Sequence, residues 1–326
     1  MMQFPASQRG VALITALVVL AIAATISAAM IWQGGLDERR TATLIQGNQA
    51  MEYALGAESW AEQILQRDFK QNSQSVNLGQ DWAQQLPPLP VEGGQIIGHI
   101  EDMQGRFNLD LLSGPSPAIY QAQFVRILEA LNLDPTIAPA LTDWFSNNPV
   151  ANPNGAKDDF YSRLQPPYLT GQTPMTSVSE LQLVKGVTPQ AYAALLPYVC
   201  AIPVTTATAS STGTSTSSGG WALNINTASP LLLMSLAPNV SQDQVAQVVA
   251  ARAANGISQA DFNNIIKITS PSGQGPAAGS PIPGVTSSYF LLTVTAEIGS
   301  THVTMYSLLR YTGGQATAIR RTFGTL

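Results

Sequence analysis

The chain holds two histidines, His99 and His302, and one cysteine, Cys200, so acid–base, nucleophilic and thiolate chemistry must be sought at very few places. Both histidines fall in stretches that alternate apolar and polar residues, "GQIIGHIED" and "THVTMYSLL", the pattern of a half-buried strand. Neither has a second histidine at helical spacing, a nucleophile elbow or a phosphate-binding glycine loop beside it, so they read as ordinary strand residues. A single cysteine excludes an intrachain disulfide and a CxxC zinc or redox site, and Cys200, following "LLPYV", reads as a small buried hydrophobe. A formal net charge of −5, with only 11% charged residues, argues against a broad phosphate-binding surface. The inventory points away from an enzyme and toward a protein that works through its shape and its contacts.

The elements that carry these residues are legible from periodicity. From Val11 to Trp32 there is neither a charge nor a proline; as a helix this run is about 33 Å long, the thickness of a bilayer's hydrocarbon core. It is too long for the apolar part of a cleaved secretion signal. Beyond it, Leu44, Met51, Leu55, Leu65 and Phe69 continue an apolar stripe between polar residues, and no proline occurs between Gly10 and Pro87. One helix over residues 11 to about 70 is predicted, apolar in its first half and amphipathic in its second. Residues 71–90, ending in "LPPLP", read as a linker, and 94–112 as a strand pair turning at Gln104-Gly105. Helical periodicity runs from Ile119 to Leu196 and resumes in "TASPLLLMSLAP" and "QDQVAQVVAARAANG". Residues 204–220, a Ser/Thr/Gly run, read as a flexible loop, and 288–312 as a β-hairpin around Gly299-Ser300. The expected fold is α+β: a long helix packed on a small antiparallel sheet formed by 71–115 and 275–326, with a helical domain, 116–274, inserted between the strands.

The text "QRGVALITALVVLAIAATISAAM" sets a short leader ending in Arg9-Gly10 directly before the apolar helix, an arrangement that resembles type IV pilins and the pseudopilins of type II secretion. The stretches "GRFNLDLL", "LTDWF", "GAKDDFY", "PPYLTGQTPMTSVSELQLVKGVTPQAYAALLPYV" and "LNINTASPLLL" follow in order. Together they resemble the general secretion pathway protein K family, the large minor pseudopilins of type II secretion, over nearly the whole chain.

That resemblance implies a set of expectations. A prepilin peptidase would remove the leader, residues 1–10, by cutting after Gly10, and would methylate the new N-terminus at Val11. The subunit would sit in the inner membrane through lipid contacts of residues 11–32, with the rest in the periplasm. It would join I-like and J-like minor pseudopilins at the pseudopilus tip, served by the inner-membrane assembly platform, in the export of folded proteins. Pilin-like subunits usually carry a glutamate five residues after the cut; here the position is Thr15, whose hydroxyl can bond back to its own helix, as a first subunit without an older neighbour would allow. The family's acidic calcium loop corresponds to "DWFSNNPVANPNGAKDDFY", with Asp143, Asn148, Asp158 and Asp159 as the implied ligands. Ser146 and Asn148 stand where the family has aspartates, and Lys157 where it has a glutamate, so a loop held only by Asn and Asp turn hydrogen bonds is the alternative. A type IV pilus minor pilin is the nearest alternative function, which the helical insert disfavours. The segment from Asn224 to Phe262 also resembles the helix-hairpin-helix of competence-type DNA-binding proteins. Its hairpin "APNVSQ" lacks glycine and Arg252 is its single basic residue, while "VKGVTPQ" keeps Lys185; no nucleic-acid partner is expected.

Overall fold

The structure, a computed structural model, describes residues 8–114, 117–203, 221–253, 255–267, 281 and 283–324. Most of the leader, the 204–220 run and residues 268–280 lie outside the described residues. Helix α1 spans Gln8–Gln71 without a break, as the absence of proline predicts. Its 64 residues make it about 96 Å long. From Val11 to Trp32 its side chains are exposed, and an 18-residue window there reaches a mean hydropathy of 2.6, apolar enough to cross a membrane.

The second half of α1 buries Ala50, Ala54, Ala61, Leu65 and Phe69, which share one face by their spacing. The alanines let the helix axis come close to a five-stranded antiparallel sheet. Strands β1 (Leu89–Val91) and β2 (Gly94–Asp102) precede the helical body. Within that body lie β3 (Phe107–Asn108), α2 (Pro117–Ala130), α3 (Ile137–Phe145), α4 (Asp158–Tyr161), α5 (Pro189–Leu195), β4 (Val199–Cys200), β5 (Leu223–Asn224), α6 (Pro230–Ser235), α7 (Gln242–Ala251), α8 (Gln259–Ile265) and β6 (Pro283–Gly284). The chain returns as β7 (Tyr289–Ile298), β8 (Thr301–Thr312) and β9 (Gln315–Phe323), giving the sheet order β1-β2-β7-β8-β9. Along β7, Phe290, Leu292 and Val294 face α1. Leu291 and Leu308, directly opposite one another on β7 and β8, point the other way into the helical core. That end of the sheet is therefore buried on both faces.

The helical body is made of short helices with explicit start signals. Ser229, Ser241, Ser258 and Thr188 each cap a helix through the side-chain oxygen, and Pro189 and Pro230 occupy first-turn positions where the missing N–H is harmless. Its core includes Met103, Phe107, Leu109, Leu111 and Leu112, so the chain enters the body directly at the end of β2.

Three expectations change. The strand pair predicted at Gln104-Gly105 does not form: Met103–Gly105 is a single 3-10 turn, initiated because the Asp102 side chain accepts from the Gln104 N–H at 2.9 Å. β3 then pairs in parallel with β4 rather than folding back on β2. The 71–90 stretch is more than a linker, since Val76 and Trp82 are buried and the Val76 N–H bonds to the Val285 carbonyl at 2.8 Å. The hairpin gains a third strand, β9, whose alternation is masked by Arg320 and Arg321.

Asp110, in the 3-10 helix Leu109–Ser113, is buried; its Oδ1 accepts from the Met175 N–H at 2.8 Å, and Oδ2 has no partner among the described residues. Burial pushes its carboxyl up from 3.8 to about 7, with the Met175 N–H opposing. Across that window the native chain holds a proton that the unfolded chain has released, so this group's contribution to stability is largest in acid and falls as pH rises. Asp110→Asn keeps the acceptor for Met175 and removes the titration. Melting curves of variant and wild type should coincide near about pH 4 and separate by several degrees above about pH 7, the variant being the more stable.

Candidate functional site

Two places carry the residues singled out by the sequence: the first turns of α1 and the loop between α3 and α4. Gly10 and Val11 lie on the uninterrupted backbone of α1, with Val11 exposed. Thr15 is also exposed, and its Oγ1 donates to the Ala12 carbonyl at 3.0 Å. Thr25 and Ser27 do the same, to Ile22 and Ala23, each at 2.8 Å. The hydroxyls of the apolar half thus satisfy themselves along the helix, which is what a lipid environment demands of polar side chains.

The loop is anchored by Asp143, which is buried at the end of α3. Its Oδ2 accepts from the Asn152 N–H at 3.0 Å and its Oδ1 from the Asn152 side-chain amide at 2.7 Å. Gly155 packs so closely that a Cβ there would lie 1.8 Å from Asp143 Oδ2. Asp158 Oδ1 accepts from the Thr170 hydroxyl at 2.6 Å and the Thr170 N–H at 2.9 Å, which hold its carboxyl below the usual carboxylate range. Asn148 and Asp159 are exposed, and the Asn148 side-chain oxygen accepts from the Val150 N–H at 3.0 Å.

Lys157 is only 4% exposed, and its Nζ donates to the Asp143 carbonyl at 2.7 Å and to the Ser146 carbonyl. Burial lowers this ammonium from its ordinary value, against the pull of the Asp143 and Asp158 carboxylates. Lys185 reaches the other limb, donating to the Gly155 carbonyl at 3.0 Å. Beneath the loop, Trp144, Tyr161 and Tyr168 pack edge to face or tilted, and Tyr161 Oη accepts from the Lys185 N–H at 3.1 Å.

This arrangement does not fit the implied calcium ligand set. Among the described residues no three Asp, Glu, His or Cys side chains converge as a metal cage. Asp143 and Asp158 are each engaged by donors of the chain, Asn148 and Asp159 lie on the surface, and an ammonium sits on the inward carbonyls. Asn152 and Thr170 carry no signal in the sequence, and Lys185 is marked there only as the basic residue of "VKGVTPQ"; "PNG" marks a turn, but nothing local tells which side chain it will meet. The remaining reactive groups are elsewhere. His99 and His302 are exposed on β2 and β8, and Cys200 is buried in β4, its thiol pushed up by burial.

A sequence profile described as "Type II secretion system (T2SS), protein K" matches residues 105–204, and a second of the same description matches 223–280. The "Type II secretion system protein K" of Klebsiella pneumoniae is 34% identical, covering 97% of both chains. The protein of the same description from Aeromonas hydrophila is also 34% identical, covering 92% of both. The chain belongs to the type II secretion system protein K family.

As a protein K the chain is a minor pseudopilin of that system. A chain in the crystal structure of the GspK-GspI-GspJ complex from the type 2 secretion system of enterotoxigenic Escherichia coli superposes with a TM-score of 0.72. The match covers 88% of this chain and 100% of that one at 24% identity, and it confirms the α+β fold with its helical domain. The two profile matches stop and restart on either side of the Ser/Thr run, so that run lies between the family's two recognised parts.

The tight approach of Gly155 to Asp143 has a measurable consequence. Gly155→Ala should destabilise the protein by about 1–3 kcal/mol, because the Cβ displaces a buried carboxylate from its Asn152 donors. A melting temperature equal to wild type would show that the loop relaxes without cost.

Proposed function

We propose that this minor pseudopilin occupies the tip of the pseudopilus, as a non-enzymatic structural subunit in the export of folded proteins across the outer membrane. Before assembly it sits in the inner membrane through residues 11–32, with the sheet and helical body in the periplasm. Maturation is a prepilin-peptidase cut after Gly10, followed by methylation of Val11. Its partners are I-like and J-like minor pseudopilins, and the inner-membrane platform inserts it into the growing filament.

The observation that carries this reading is the combination of Thr15 with the helical body. A carboxylate at that depth would need a cationic partner, the N-terminus of an older subunit; the Thr15 hydroxyl, bonded to Ala12, needs none. The subunit's own N-terminus can still receive the glutamate of the next subunit. A body that buries the far side of the sheet beside α1 also makes stacking of a further subunit above it costly, whereas one end of the filament leaves it unobstructed. The choice of partners is supported by the structural neighbour from enterotoxigenic Escherichia coli, which was crystallised as a complex of GspK with GspI and GspJ.

A nucleic-acid role finds no support in the cations that would carry it. The Arg252 guanidinium donates to the Ile225 and Ala228 carbonyls at 2.6 and 2.7 Å, and Lys185 is committed to the Gly155 carbonyl.

The processing step is checked by N-terminal sequencing. Wild type should begin at Val11, and Gly10→Leu should keep the leader, because the scissile bond needs the close backbone approach that a residue without Cβ permits. Thr15→Ala should leave secretion nearly intact, whereas deletion of the gene impairs it and lengthens the pseudopilus. Labelled subunit distributed along the shaft, rather than confined to one end, would overturn the tip assignment.

A further inference from the structure

We infer that the loop from Asp143 to Lys157 is built around two ammonium groups of the chain itself and folds without a divalent cation. Four backbone carbonyls of the loop turn toward lysines in pairs. The Asp143 and Ser146 carbonyls take Lys157 Nζ, the first at 2.7 Å, while the Gly155 and Asn154 carbonyls take Lys185 Nζ at 3.0 and 3.5 Å. Lys185 also lies over the Phe160 ring, 5.2 Å from its centroid, so its position is fixed by contacts on more than one side.

Inward-facing carbonyls on both limbs of a loop are what an oxygen-coordinated cation gathers, and calcium asks for about six to eight such oxygens. Here the gathering is done by N–H donors. An ammonium offers three hydrogens to acceptors at hydrogen-bond distance, which suits two or three carbonyls and needs no carboxylate cage. The carboxylates are accordingly turned to other duties: Asp143 holds Asn152, and Asp158 holds Thr170. A divalent ion placed on the Asp143 and Ser146 carbonyls would have to displace the buried Lys157 ammonium or lie beside it, and either is opposed by like-charge repulsion or by loss of two hydrogen bonds. Lys157, which as a sequence feature counts against a calcium site, is in the folded chain the group that takes over the ion's work. The inference is independent of where the subunit sits in the filament.

The test uses the full-length protein in detergent, melted in excess calcium chloride and in excess EGTA. The two wild-type curves should coincide within about 1 °C, since a ligand that does not bind the native state adds no stability. Lys157→Met keeps the apolar stem and removes the donor, so its melting temperature should drop by about 4–10 °C, equally in both buffers. Lys185→Met should lower it less, the residue being partly exposed. Failure of Lys157→Met to fold in either buffer also agrees with the inference, and the wild-type pair of curves then decides. A wild-type melting temperature that falls by several degrees in EGTA and is restored by calcium overturns it. So does a Lys157→Met protein that melts as wild type.

Discussion

The Asp102 carboxylate, enclosed where β2 leaves the sheet, accepts from the hydroxyls of Thr227 at 2.6 Å and Ser287 at 2.7 Å, from the Asn224 amide at 2.9 Å and from the Gln104 N–H at 2.9 Å. Asn224 also donates to the Val76 carbonyl at 3.0 Å. Four stretches far apart in sequence meet at this acid and its Asn224 partner: the segment just after α1, the exit from the sheet, the end of β5 with the turn that follows, and the approach to β7. Desolvation raises the carboxyl from its ordinary value, and the four donors oppose it. A buried charged or polar group is costly unless every lone pair is satisfied, so each donor must be in place for the others to be favourable. That makes the junction between sheet and helical body cooperative rather than hinged.

The junction between helix and sheet has a similar design with one ion pair. Glu58, on the buried face of α1, receives Arg321 Nε and Nη2, each at 2.7 Å, together with the Ser307 hydroxyl. One turn on, Glu62 accepts from the Ala318 N–H at 3.0 Å. Both contacts fall on β8 and β9, so the edge strand is bound to α1 as well as to its neighbour in the sheet. Charge on that edge also blunts its tendency to pair with another chain. The apolar half of α1 and the sheet are thereby one mechanical unit: force applied along the helix is passed to β9 through a bidentate pair and to β7 through packed alanines.

Periodic features were legible in the sequence because they repeat over many residues. The helix from about 11 to 70, the β7–β8 hairpin and the helical character between Ile119 and Leu196 each rest on patterns that no single residue can spoil. What escaped was decided by single side chains acting at long range. Gln104-Gly105 looks like a hairpin turn until Asp102 is known to accept from Gln104 and from Thr227, a residue far along the chain. Trp82 sits in a polar stretch, and its packing on Phe290, ring centroids 5.3 Å apart, together with the burial of Val76, makes that stretch part of the core. The acidic loop is the sharpest case: Asp143, Asp158 and Asp159 are grouped in sequence, yet one is buried on Asn152, one is held by Thr170 and one faces solvent. Spacing gives the inventory of a site, but burial and partner choice decide its chemistry.

The helical body also shows how a domain of short helices is held without a disulfide. Each helix end leaves carbonyls without an intrahelical partner, and helices of four to fourteen residues have many ends for their length. Water can serve those at the surface, but ends turned into the core need donors from the chain. The few basic residues are used there. Arg126 donates to the Ser235 and Leu236 carbonyls at the end of α6, at 2.7 and 3.4 Å. Arg252, at the end of α7, reaches the Ile225 and Ala228 carbonyls ahead of α6. Lys157 does so after α3, and Lys185 across the following loop. Burial pulls both arginines below their ordinary values, the cost of placing a cation there, and the side of the balance that makes it favourable is the set of carbonyls each one satisfies. Four of the 15 Lys and Arg in the chain are committed to carbonyls in this way.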